Sequence, residues 1–174
     1  MHPPADHLTV YRAAKDRSLK TDPQSPLIAE QKASFTGLRY FPENPALRFE
    51  LPLTPDPDMP VVEMITNMGL ERAFSRIGSF EFTVDGRQQR LYLYQDEEAG
   101  YLFMPFTDGT TGTETYGAGR YLEVEDLGNG AFLVDFNLAY NPYCAYNEYW
   151  SCPIPPQENR LTAPIEAGEQ AYRQ

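Results

Sequence analysis

Apolar positions along this chain change their spacing twice, and each change predicts a different kind of element. In the first forty residues the period is helical. Leu8, Tyr11 and Ala14 fall on one face of a helix that Asp6 can cap and that Asp22-Pro23 stops. Ser25-Pro26 predicts a second helix, with serine at the cap and proline at the first helical position, running to about Ala33 and ending by Gly37. Helices this short cover a face rather than build a bundle.

From Tyr40 onward, prolines at 42, 45, 52, 55, 57 and 60 exclude any long helix. Between them, Ala46–Leu51 puts Leu47, Phe49 and Leu51 on one face and Arg48 and Glu50 on the other, the alternation of a half-buried strand. Val61–Thr66 reads as another strand. Leu70–Ile77 fits a strand or a helical turn, and the bracketing Gly69 and Gly78 favour the strand. Phe80–Val84 and Arg90–Tyr94 flank the five residues Asp85–Gln89, with a turn-prone Asp85-Gly86 at the bend, and predict a hairpin in which Leu91 and Leu93 face one way, Tyr92 and Tyr94 the other. Tyr101–Phe106 follows. After a loop of Thr, Gly and Asp, Arg120–Val124 and Ala131–Phe136 read as a last hairpin around Leu127–Gly130.

Seven or eight short strands with turn residues between them predict a mainly β fold, an antiparallel barrel or curved sandwich. Two short N-terminal helices and an irregular C-terminal segment rich in proline and aromatics complete it. One domain over residues 1–174 is expected: a helical cover over 1–38, a β core over 39–136 and a closing segment over 137–174. No period of 20–50 residues repeats, which excludes a solenoid.

Composition narrows the partners. The 174 residues carry 25 acidic against 14 basic side chains, a net charge of −11 that repels a phosphate backbone, so nucleic acid is not expected. Arginine supplies 11 of the basic residues and lysine 3, which reads either as genomic coding bias or as planar forks for a carboxylate or phosphate. No apolar run approaches the roughly 20 residues that span a bilayer, and the opening MHPPADHLTVYRAAKDRSLK lacks the apolar stretch of a secretory signal. A soluble protein of the cytoplasm, monomer or homodimer, is the expectation.

Candidate chemistry concentrates after Asp135. His2 and His7 are the only histidines, and both sit in the N-terminal stretch, so histidine-based acid–base or triad chemistry is not expected. Cys144 and Cys152, with seven residues between them, lack the partners of a structural zinc site, and no metal is expected. They read as free buried thiols, a redox pair or a disulfide, alternatives the spacing leaves open. Asp135, Asn137 and Asn141 follow the last strand, with Glu158, Asn159 and Arg160 beyond a proline run. Either they tie down a loop or they line a pocket that Tyr116 and Arg120 join from the glycine-rich stretch TDGTTGTETYGAGR. That stretch has no phosphate-loop lysine.

Three segments together, FTGLRYFPENPALRF, TYGAGRYLEVE and DFNLAYNPYCAYNEYWSCPIPPQENRLTAPIEAGE, resemble the domain of unknown function 1684 family, a group of uncharacterised bacterial and archaeal proteins. The likeness runs from about Tyr11 to Glu169. It implies that the C-terminal segment is a family hallmark and brings no activity or cofactor with it.

Three functions remain. The first is small-molecule binding between the β core and the C-terminal segment, with Tyr116, Arg120, Asp135, Asn137, Asn141, Cys144, Glu158, Asn159 and Arg160 as contacts and an arginine holding an anionic group. The second is an enzyme that uses Asp135 or Glu158 as acid or base in the same pocket. The third is an interaction module whose aromatic segment meets a partner or a second copy. Arg160→Ala is expected to weaken the fold or ligand binding more than Arg87→Ala.

Overall fold

The computed structural model describes residues 7–172. Helix α1 (His7–Thr21) buries Leu19, which packs with Leu27, Phe35 and Tyr146 and so seats the N-terminal segment on the C-terminal one. The cap assigned to Asp6 lies outside the described residues. Helix α2 (Ala29–Ser34) begins later than Ser25-Pro26 predicts. The Ser25 hydroxyl is engaged in a turn instead, accepting from Leu27 N at 3.2 Å and donating to Leu19 O at 2.6 Å. Gln31 Oε1 takes the Ile28 N–H at the helix start, at 3.0 Å.

Nine antiparallel strands follow: β1 (Arg48–Pro52), β2 (Thr54–Pro55), β3 (Val61–Ile65), β4 (Glu71–Val84), β5 (Arg87–Asp96), β6 (Leu102–Phe106), β7 (Arg120–Leu122), β8 (Glu125–Asp126) and β9 (Ala131–Asp135). They make a three-stranded sheet, β1-β9-β8, and a larger one, β2-β4-β5-β6-β7, with β3 also on β4. Both sheets stay open, so the fold is a curved sandwich and not a closed barrel. The main core lies between them, where Phe49 meets Phe82 at 5.2 Å and Phe80 meets Phe132 at 5.6 Å between ring centroids.

The long β4–β5 hairpin turns on Asp85 and Gly86 alone, both at positive φ (50° and 75°), a tighter bend than a five-residue loop. Leu91 and Leu93 enter the main core, while Tyr94 and the half-buried Tyr92 take the other face. A bulge between Arg76 and Gly78 shifts the register of β4, so Phe74 joins Tyr94 on that second face although it shares parity with Phe80. Gly78 is required there, because a Cβ would lie 2.5 Å from Thr54 O.

The last predicted hairpin is not formed as read. Arg120–Leu122 pairs with β6 in the larger sheet, whereas Glu125–Asp126 pairs with β9 in the smaller one. The chain changes sheets at Glu123-Val124. Alternation alone fits either partner for 120–122.

Residues after β9 run as 3-10 turns and extended stretches that add to both cores. Leu161, Ala163, Ile165 and Ala167 fill one end of the main core. Tyr140 pairs with Tyr121 through two 2.9 Å backbone bonds, and Pro153 bridges to Thr66 beside the Ile154 N to Ile65 O bond at 2.9 Å. The stretch 140–153 is therefore anchored at β7 on one edge of the larger sheet and at β3 on the other. Between these anchors it crosses the face that carries Met64, Phe74, Tyr94, Phe103 and Tyr121. No helix among the described residues is long and apolar enough to cross a membrane.

Candidate functional site

A cleft of about 530 Å³ opens where stretch 140–153 crosses that second face. Arg72, Tyr101, Leu102, Phe103, Tyr121, Leu122 and Glu123 come from the sheet side. Tyr140, Asn141, Pro142, Tyr143 and Trp150–Pro153 come from the crossing stretch, and Tyr11 and Lys15 from α1. The bulge in β4 matters here, because it turns this end of the sheet so that its aromatic side chains face the crossing stretch. Tyr143 and Trp150 make an edge-on pair at 5.1 Å that also borders a second groove, of about 800 Å³, along α1.

Charge in the cleft is sparse and held. Lys15 Nζ bonds the buried Glu169 carboxylate and lies 5.0 Å from the centre of the Tyr140 ring. Glu169 Oε1 also accepts from Asn141 N at 3.0 Å and from Tyr146 OH at 3.4 Å. Arg72 Nη2 donates to Asp96 at 2.5 Å and reaches Tyr101 OH at 3.0 Å. Glu123 accepts from Tyr140 OH at 3.5 Å. Burial raises the phenol pKa values of Tyr11, Tyr121 and Tyr140, reinforced by Glu169 at Tyr11 and by Glu123 at Tyr140, so all three remain O–H donors. The Tyr121 hydroxyl spends its proton on Pro153 O, at 2.5 Å. Asn141 is 2% exposed and lines the cleft, and its Oδ1 has no hydrogen-bond partner among the described residues. A buried acceptor in that state is short by roughly 1–3 kcal/mol until a donor reaches it.

The two cysteines stand together at one wall, both free. Cys144 takes a hydrogen bond from Tyr116 OH at 3.6 Å. The interaction of the two thiols pulls the Cys152 pKa down to about 7, helped by the backbone N–H groups of Cys144 and Tyr143, and pushes that of Cys144 up. Asn67 holds the stretch in place: its side chain donates to Trp150 O at 2.9 Å and accepts from Cys152 N at 2.7 Å. Among the described residues no three His, Cys, Asp or Glu side chains are arranged to hold a metal ion.

Of the residues nominated from sequence, Asn141 lines this cleft, and Cys144 and Tyr116 are tied to its wall through Cys152. The others are elsewhere. Arg120 is 1% exposed, with its terminal nitrogens on the carbonyls of Ile165, Ala167 and Glu169. Asp135 pairs with Arg48 at 2.9 Å and accepts from Asn137, whose side chain brackets the Asn44 backbone. Glu158 bonds Arg76 and Tyr94. Asn159 is buried against Tyr92 and Pro105, and Arg160 is exposed. Sequence reasoning missed Lys15, Arg72 and Tyr101. They come from segments far apart in the chain, and only the topology brings them together.

The model of a family described as a protein of unknown function (DUF1684) matches residues 33–170. The chain belongs to this family. The match includes every part of the cleft except Tyr11 and Lys15 of α1. A solution NMR structure of an uncharacterized protein from Haloarcula marismortui is similar over 94% of this chain and 91% of its own, at 37% identity and a TM-score of 0.71. No functionally curated protein matches the sequence.

Proposed function

We propose that the protein binds a small organic molecule, a ring compound bearing an acidic group, in the cleft between the β core and the crossing stretch. The observation that carries this is the lining itself. Tyr11, Tyr101, Tyr143 and Trp150 are each between 38% and 46% exposed and border one concavity, where a ring can stack. A chain of net charge −11 places two cations, Lys15 and Arg72, against one carboxylate, Glu123, in that lining. Both cations already have carboxylate partners, so they act as hydrogen-bond donors to the acidic group rather than as open charges.

Trp150 is the only tryptophan, which makes the cleft its own reporter. Titration with nucleoside monophosphates, aromatic carboxylic acids and neutral sugars is expected to change its fluorescence saturably for the acidic ring compounds. Tyr101→Ala should weaken that response about five-fold, the size of one lost aromatic contact. Unchanged fluorescence with every probe, together with no retained small molecule in native mass spectrometry, would overturn the reading.

A further inference from the structure

The geometry points to Cys144 and Cys152 as a redox couple, a dithiol that closes to a disulfide by exchange with low-molecular-weight disulfides entering through the cleft. The two thiols interact directly, and their roles are unequal because Cys152 lines the cleft while Cys144 Sγ accepts from Tyr116 OH at 3.6 Å. Cys152 lines the cleft and meets an incoming molecule first. Its sulfur also accepts from the N–H groups of Tyr143 and Cys144, with Arg72 as the nearby positive charge, an environment that favours a thiolate. Cys144 does not line the cleft, and its sulfur is held by Tyr116 OH at 3.6 Å. Two thiols packed merely as small hydrophobes would be fully buried among apolar groups. These are half-buried, and donors surround one of them.

The exchange balances as follows. The Cys152 thiolate attacks one sulfur of RSSR, forming Cys152–S–S–R and releasing RS⁻, which takes a proton from water. Cys144 then gives its proton to solvent, and its sulfur attacks the Cys152 sulfur, expelling the second RS⁻, which is protonated in turn. Two protein thiols are oxidised to one disulfide, and one small disulfide is reduced to two thiols. The new bond joins the turn Tyr143–Ala145 to the Asn67-clamped stretch and closes the loop that carries Tyr149 and Trp150.

The test uses the full chain in mixtures of oxidised and reduced glutathione, read by intact mass and by thiol labelling. The wild type is expected to lose the mass of two hydrogens without accumulating a glutathione adduct. Cys144→Ser should stop at a stable mixed disulfide on Cys152, whereas Cys152→Ser should react at least about tenfold more slowly. A wild type that keeps both free thiols under mixtures that oxidise a simple dithiol would overturn the proposal, and that arm needs no variant. Equal rates of adduct formation on the two single variants would overturn the assignment of Cys152 as the attacking sulfur.

Discussion

The guanidinium of Arg120 is 1% exposed, yet its terminal nitrogens reach three carbonyls of one short stretch, Ile165, Ala167 and Glu169, at 2.9, 2.5 and 3.2 Å. Asp108 supplies the counter-charge 3.5 Å away while binding Ile165 N and the hydroxyls of Thr110 and Thr111. Burial lowers the Arg120 pKa, and Asp108 and Glu169 work against that shift. An uncharged replacement leaves the carbonyls without their donor and the carboxylate without its counter-charge. Arg120→Met is therefore expected to cost at least about 3 kcal/mol in chemical denaturation. Lysine is not an adequate substitute, for one ammonium cannot span carbonyls that a planar fork reaches. Arg160→Ala should stay within about 0.5 kcal/mol, as for an exposed side chain. Arg87, at a hairpin tip, donates to Thr162 O at 3.3 Å, so Arg87→Ala is expected to cost at least as much as Arg160→Ala, and denaturant unfolding of the two variants compares them.

At the scale of elements, the 3-10 turn Gln157–Asn159 behaves as a missing strand partner. Asn159 Oδ1 accepts from Tyr92 N at 2.8 Å, and Nδ2 donates to Tyr92 O at 3.0 Å and Pro105 O at 2.8 Å. One side chain thus docks the turn on β5 and β6. Asn159→Ala orphans three backbone groups, two on half-buried Tyr92 and one on buried Pro105, and should cost at least about 2 kcal/mol, and Asn159→Asp should not rescue it because both donors are lost. Thermal or denaturant unfolding of the two variants checks this. The same residue shows why the site was hard to read. An asparagine in a tail looks identical in sequence whether it faces a ligand or a backbone. The hairpin at Asp85-Gly86 was legible, because Leu91 and Leu93 alternate with Tyr92 and Tyr94 and the turn demands those residues. The bulge at Ile77 left no such mark, and neither did the crossing from β7 to β8. The cleft depends on both the bulge and the distant pairings at Tyr121 and Thr66, so its lining could not be assembled from local pattern.

Across the whole molecule, tyrosine is the residue that binds surfaces together. Tyr40, Tyr94, Tyr121, Tyr140 and Tyr146 all have phenol pKa values raised, first by burial. Hydrogen bonds to Asp16 at Tyr40 and to Glu158 at Tyr94 add to this, as does the Glu169 charge at Tyr146. Unfolding releases these groups to the ordinary value of 10.0, so the unfolded chain gives up protons that the folded one keeps. The stability they supply is full below pH 10 and is lost as pH rises beyond it. The phenolate absorbance of these five should therefore lag that of free tyrosine, then rise together with loss of the far-ultraviolet circular dichroism. Titration of all 12 tyrosines near pH 10 with the fold intact would contradict that coupling.

The acceptors of Arg120 lie in residues 165–169, some 45 positions downstream of it. During synthesis the arginine leaves the ribosome long before they do, and until they emerge a full positive charge has no seat in the forming core. Closure of the core around Arg120 is therefore expected to wait for residues 165–169. A ribosome-stalled chain lacking residues 165–169 should remain open to protease at sites the finished protein protects, and protection before their release would show that the core closes without them.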